Sequence, residues 1–203
     1  MHDLTKLPLD DFLDRLADRT PAPGGGAAAA AAGALAAALA RMAIAFSVNK
    51  KTDGAARNRI EHAASRLRTA DEVLRALITG DADAYAKLSH AAKQDRSSTP
   101  EQARYKRVVL DALAVPLEIV AFCHDALSVL DDLKSDTSRY MHSDLAASAI
   151  LAEAAARAAA LMVRVNLAEL SDAAARTKIE SDLEATLTKC RLRRESIEAF
   201  VRA

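Results

Sequence analysis

Hydrophobic positions along this chain recur at three- and four-residue steps, and nowhere do apolar and polar residues alternate over a strand's length. Leu9, Phe12, Leu13 and Leu16 draw one apolar stripe, which predicts a helix over Leu9–Arg19. The run Thr20-Pro21-Ala22-Pro23-Gly24-Gly25-Gly26 stops it, because proline cannot continue a helix and glycine opens a turn. A second helix is expected from Ala27 to Val48, apolar apart from Arg41 and therefore buried on most sides. Asn49-Lys50-Lys51-Thr52-Asp53-Gly54 ends it, since asparagine tolerates a left-handed cap and lysine suits a helix C-terminus. A charged amphipathic helix follows over Ala55–Thr79, with Gly80 closing it and Asp81 capping another helix through Ala92. Thr99-Pro100-Glu101-Gln102 reads as a capping box that starts a helix to Leu133, bent near Pro116. After a polar loop from Ser135 to His142, Ser143-Asp144 opens an apolar helix to Leu170. Ser171 then caps a last helix that runs to the C-terminus.

Composition sharpens this pattern. The chain has 48 alanines among 203 residues, against six glycines, five prolines and 3% aromatics. Alanine is the best helix former and strand formers are scarce, so the fold class is all-α. The expectation is one domain over residues 1–203, a bundle of six to seven long, alanine-rich helices. Each alanine buries roughly one methyl's worth of surface, so such a core needs many contacts and a second subunit would help. A homodimer is therefore expected.

Charge and cysteine content exclude several functions. Lys plus Arg equal Asp plus Glu at 28 each, which argues against a general nucleic-acid binder. Cys123 and Cys190 have no metal-type spacing, and the histidines are scattered, so no metal is expected. The segment from Ala27 to Phe46 is long enough to span a bilayer, but alanine is nearly neutral on transfer scales, so a close-packed helix is expected and no membrane contact. Asp3, Lys6, Asp10, Asp11, Asp14 and Arg15 interrupt any export signal, pointing to the cytoplasm.

Few residues stand out for chemistry. Gly24, Gly25 and Gly26 at a helix start allow close backbone approach, with free amides that suit an anion; a plain helix–helix corner is the alternative. Lys50 and Lys51 are either a solvated helix end or a grip on an acidic ligand tail, or one of the two is buried and acts as acid or base. Asp81 and Tyr85 share a helix face, and Asp81 also reads as a cap. Ser143-Asp144 reads as a cap and first-turn acid, yet Asp144 precedes an apolar helix where partial desolvation would suit proton transfer. Asn166 interrupts an apolar run and needs partners, as a bridge between helices or a ligand contact.

From Phe12 to Asp172 the chain resembles the formiminotransferase-cyclodeaminase C-terminal family. The resemblance begins with Phe12-Leu13-Asp14 and the Pro21–Gly26 turn. It continues through Gly33-Ala34-Leu35, Ala37-Ala38-Leu39 and Met42 to Lys50-Lys51. Further elements are Asp81-Ala82-Asp83-Ala84-Tyr85, Val115-Pro116-Leu117, Ser143-Asp144-Leu145 and Asn166-Leu167. The chain departs from the family pattern at Ala45, Asn49, Thr52-Asp53, Thr137-Ser138 and Met162.

The resemblance implies folate one-carbon chemistry with a tetrahydrofolate derivative as substrate and no tightly bound cofactor. One activity it implies is hydrolysis of 5,10-methenyltetrahydrofolate to 10-formyltetrahydrofolate. The second is cyclisation of 5-formimidoyltetrahydrofolate with loss of ammonia, and the departures leave a third reading, a folate-binding module without catalysis. In each enzymatic reading Asp144 carries the proton, with Lys50 or Lys51 as a second polar group. The glycine corner and Ser143 hold the pterin or the glutamate tail, Asn166 orients the pterin, and Asp81 and Tyr85 contact the substrate.

Overall fold

The computed structural model describes residues 3–48 and 53–203. Lys50 and Lys51 lie outside the described residues. Six α-helices and three short 3-10 turns account for the described architecture, with no strand among them. The helices are α1 (Leu9–Ala17), α2 (Gly25–Ala45), α3 (Gly54–Ala92), α4 (Thr99–Leu133), α5 (His142–Leu167) and α6 (Ala173–Arg202). The 3-10 turns are Leu4–Lys6, Lys134–Asp136 and Arg139–Met141.

The centre of the bundle is α2, packed chiefly against α3 and α5 and crossed by α4. Its alanines at 27, 29, 30, 36, 37, 40 and 43 are almost fully buried, so neighbouring backbones approach closely. At Gly33 the packing is tight: a Cβ there would sit 3.0 Å from Cys123 Sγ of α4 and 3.1 Å from Leu74 Cδ2 of α3. On the opposite strip of the bundle, Ser148 of α5 donates its hydroxyl to the Ala36 carbonyl at 2.8 Å. Arg41 of α2 and Arg75 both donate to the buried carboxylate of Asp71, the latter at 2.5 Å. Cys123 and Cys190 are free, buried thiols, and burial pushes them up to about 12 and about 11.

Most helix ends fall near their expected places, with instructive exceptions. Gly80 does not close a helix; α3 runs straight through it, and no glycine among the described residues has positive φ. The glycine penalty of about 1 kcal/mol is small beside the burial of Leu77, Ile78 and Ala82 around it. Asp81 is consequently a mid-helix residue and not a cap of its own helix. The capping box of α4 sits one residue earlier than read: the Ser98 hydroxyl accepts from Glu101 N, and Glu101 accepts from Ser98 N. At α5, Ser143 lies inside the first turn, because the helix starts at His142 and no side chain caps it. Asp172, not Ser171, caps α6, accepting from Ala175 N at 3.0 Å.

Three stretches, Gly25–Ala45, Thr99–Asp136 and Arg139–Leu167, are long and apolar enough to cross a membrane, and about half of each is buried against other helices. The other half leaves exposed apolar strips. On α2 it is Leu35 at 63% and Phe46 at 67%, with Met42 between them; on α5 it is Ile150, Leu161 and Val165. Helix α1 buries no residue at all, and its Leu9 and Leu13 face outward over an apolar groove of about 400 Å³ shared with α2.

Candidate functional site at the glycine corner

Helix α2 begins without a cap of its own. Gly24 precedes its first turn and has no side chain to accept the orphan amides. The missing acceptor comes from α3: Asp81 Oδ2 accepts from Ala27 N at 2.9 Å. A Cβ on Gly26 would fall 2.0 Å from Asp81 Oδ1, so the carboxyl occupies the space that a side chain would need. Burial pushes the Asp81 carboxyl above the ordinary carboxylate range, partly offset by the amide of Ala27. Oδ1 accepts no hydrogen bond among the described residues, so one oxygen remains available beside the free first-turn amides. Tyr85 follows one turn along α3, half-exposed on the same face.

The C-terminal half of α5 forms the other wall. Met162 lies against the corner, its Sδ and Cε each 3.3 Å from a Cβ placed on Gly25. Met162 is one of the departures from the family pattern, so that departure falls at the corner itself. One turn further on, Asn166 donates its side-chain amide to the Ala112 carbonyl of α4 at 2.9 Å. Ala112 is four residues before Pro116, which has no N–H to give it, so Asn166 supplies the donor that proline removes. Of the two roles open for Asn166, bridge or ligand contact, this geometry is the bridge.

Asp144 and Ser143 are not part of this group. Helices α2 and α5 are antiparallel, with Met162 at the start of α2 and Ser138, just before α5, donating its amide to Ser47 beyond the end of α2 at 2.8 Å. Eighteen residues of α5 separate Asp144 from Met162, a rise of about 27 Å. Asp144 is half-buried in the first turn of α5, a position that suits an acid, and Ser143 is exposed. Around them the polar groups serve structure. Thr137 donates to Leu133 O at 3.0 Å, Arg59 holds Asp136 through two hydrogen bonds, and His142 packs its ring on Phe200 at 5.1 Å. Within one chain the structure thus unites Gly24, Gly25, Gly26, Asp81 and Tyr85, and leaves Asp144 and Ser143 at the far end. Among the described residues, no three His, Cys, Asp or Glu side chains converge as metal ligands would.

The link between Asp81 and Ala27 was missed by sequence reasoning, which paired Asp81 with its own helix. The available signal was Gly24 itself, a helix start with no local acceptor and a carboxylate two helices' length away.

The chain is similar to several known proteins. Residues 8–185 match the family described as Formiminotransferase-cyclodeaminase. The chain is 27% identical over 199 residues to a methenyltetrahydrofolate cyclohydrolase of Methylorubrum extorquens, covering 96% of each chain. It is 30% identical over 175 residues to a formimidoyltransferase-cyclodeaminase of Gallus gallus, covering 83% of this chain and 32% of that larger protein. The crystal structure of a formiminotetrahydrofolate cyclodeaminase from Thermotoga maritima superposes with a TM-score of 0.88 at 27% identity, over 97% of this chain and 96% of that one.

Proposed function

Because the chain belongs to the formiminotransferase-cyclodeaminase family, we propose that it is a folate one-carbon enzyme, hydrolysing 5,10-methenyltetrahydrofolate to 10-formyltetrahydrofolate. The observation that carries this choice is the end-to-end match, over 96% of both chains, to a protein named for that reaction. The substrate is a small-molecule folate.

Hydrolysis adds water to the methenyl carbon, which bridges N5 and N10. The added water gives up a proton, N5 takes one, the bond between that carbon and N5 breaks, and the remaining hydroxyl loses its proton to solvent, leaving the formyl group on N10. One group can accept the first proton and return it to N5. We assign this part to Asp81. The pKa of its carboxyl is raised by burial, Oδ2 is held by Ala27 N, and Oδ1 has no partner among the described residues. Of the glycines, Gly24 has no neighbour nearer than 4.0 Å to its Cβ position, while those of Gly25 and Gly26 face Met162 and the Asp81 carboxyl, and Tyr85 lies one turn along from Asp81. Lys50 and Lys51 remain proposed as polar contacts, and Asp144 as an alternative proton carrier.

Cyclodeamination is the second reading, supported by the match to the Thermotoga maritima protein. There N10 attacks the protonated formimidoyl carbon and gives up its proton, and the former imino nitrogen takes one and leaves as ammonia.

A homodimer belongs to this proposal. The exposed strip Leu35–Met42–Phe46 of α2 and the outward Leu9 and Leu13 of α1 form a largely apolar surface, with Arg75 at its edge, that a second copy would cover. It would also give the distant Asp144 a route to a shared site.

The test follows the near-ultraviolet absorbance of 5,10-methenyltetrahydrofolate against its spontaneous hydrolysis, with wild type, Asp81→Asn and Asp144→Asn compared. Acceleration by wild type that Asp81→Asn abolishes supports both the activity and the assignment. Acceleration lost only in Asp144→Asn moves the proton carrier to the other end of α2. With no acceleration by wild type, ammonia release from 5-formimidoyltetrahydrofolate decides between the second reading and a module that binds without catalysis.

A further inference from the structure

Helix α1 buries none of its nine residues. Phe12 packs on the core, but Leu9 and Leu13, one turn apart, are 70% and 50% exposed. An aspartate follows each of these leucines, Asp10 and Asp14, and with Asp11 they give α1 three acids against one base, Arg15. Asp10 and Asp11 suit the first turn of a helix, where the dipole favours acid; Asp14, a turn later, has no such reason to be there. None of the three carboxylates makes an ion pair or a hydrogen bond among the described residues. The outer edge of α1 is thus an apolar line bordered by unpaired negative charge.

The opposite pattern lies along α5 and α6, which leave a groove of about 760 Å³ between them. Its floor is apolar, running along Ala158, Leu161 and Leu187. Leu161 is 55% exposed, and Val165, one turn on, is 65% exposed. Four arginines and two glutamates line the groove, a surplus of two positive charges. Arg157 and Arg164 stand one turn before and one turn after Leu161, and Arg191 comes from α6. Arg157 and Arg191 pair along their own helices, with Glu153 and Glu195. Exposed pairs of this kind are weak, and a guanidinium has five donors, so both can take a second carboxylate.

We propose that a second copy of this chain seats the outer edge of its α1 in this groove. Leu9 and Leu13 lie on the strip of Leu161 and Val165, and Asp10 and Asp14 meet Arg157 and Arg191. The spacing agrees, since each apolar pair is four residues apart, a rise of about 6 Å. The charges agree as well: α1 carries a net two negative charges and the groove lining a net two positive ones. Each copy has one α1 and one groove, so a two-fold axis makes the contact twice and leaves neither unfilled. A basic partner would be repelled by the groove, and a neutral one would leave the acids of α1 unpaired. This contact deepens the homodimer proposed above and rests on it, but not on the folate chemistry.

A charge exchange on the full chain tests this, read by light scattering over a dilution series. One variant is Asp10→Lys with Asp14→Lys; the other is Arg157→Gln with Arg191→Glu, the glutamine leaving Glu153 an amide to pair with. Each variant alone should dimerise roughly tenfold or more weakly than wild type, because like charges then face each other. An equimolar mixture of the two should recover dimer, because lysine on one copy then meets glutamate on the other. If both variants dimerise as wild type does, or the mixture recovers nothing, this contact falls while the homodimer stands. If wild type is a monomer, both fall, and methenyltetrahydrofolate turnover still reports separately on the enzyme. Circular dichroism checks the fold of each variant. Should either fail to fold, a chain carrying Leu13→Cys and Leu161→Cys decides. Air oxidation should link it into covalent dimers that neither single cysteine variant forms, since Cys123 and Cys190 are buried. Absence of that link overturns the proposal.

Discussion

The two ends of α2 are finished by different means. At its start, the helix has no local cap and borrows a carboxyl from the middle of α3, leaving one oxygen of Asp81 unclaimed. Beyond its end, Ser47 donates to Ala43 O and accepts from Ser138 N, so its hydroxyl is used up. The difference teaches how to separate a polar group that holds the fold from one free to act. The first has its hydrogen bonds filled within the chain. The second is held by one bond, costly to bury, and surrounded by small residues that keep neighbours away.

The sharpest way to break this contrast is at Gly26 and Asp81. Gly26→Ala should drive a methyl into the Asp81 carboxyl and detach it from Ala27 N. Turnover of methenyltetrahydrofolate should then fall by about 100-fold or more in Gly26→Ala and Asp81→Asn alike. Asp144→Asn should remain close to wild type. Equal losses at Asp81 and Asp144 would mean that the two ends of α2 meet in the assembled protein.

The apolar strip offers a test of the assembly. Leu35→Glu places a charge on the exposed middle of α2, at the edge of the groove shared with α1. Light scattering should show wild type at twice the chain mass and Leu35→Glu at the chain mass. Wild type running as a monomer would remove the dimer from the proposal.

A smaller effect is expected where α4 and α5 cross. Asn166→Ala should cost about 1–2 kcal/mol in denaturant melts, by leaving the Ala112 carbonyl without a donor. In a Pro116→Ala background the helix itself supplies that donor, so the cost of Asn166→Ala should shrink. A double-mutant cycle with no coupling would show that Asn166 does not compensate for the proline.

The smallest effect concerns pH. Burial and the nearby Arg193 and Lys189 push His124 below its ordinary value, with Asp125 opposing, and its ring nitrogen faces Arg193. A base with a lowered folded pKa binds protons better when unfolded, so its neutral form favours the fold at high pH. That contribution shrinks as pH falls below about 6.5, the ordinary histidine value. Melting temperatures between pH 7.5 and 5 should therefore fall less steeply in His124→Gln than in wild type.

Much of the architecture was legible because alanine content and three- and four-residue spacing leave few options besides packed helices. Leu9, Phe12, Leu13 and Leu16 placed α1, and the proline–glycine run placed the start of α2. Gly80 misled because a local signal was outweighed by the burial of its neighbours, which no local window contains. The shift from Thr99 to Ser98 at the start of α4 and from Ser171 to Asp172 at α6 has a similar origin, since adjacent residues are equally able to cap. At the site, the glycines and Asp81 were picked out one by one, but their contact spans 54 residues of sequence. Asp144 was grouped with them because nothing in its neighbourhood states which end of α2 it faces.

The alanine faces of α2 carry a further consequence. A surface of identical methyls fits its neighbours almost as well after sliding by one turn, so packing alone leaves several registers close in energy. Three polar links remove that ambiguity: Asp81 at Ala27 N, Ser148 at Ala36 O, and Asp71 at Arg41. They fall near the beginning, the middle and the end of α2, on two different neighbours, like pegs in a plank that would otherwise shift lengthwise. Their worth lies less in depth of stability than in allowing only one alignment, and so in keeping the glycine corner opposite Asp81 each time the chain folds.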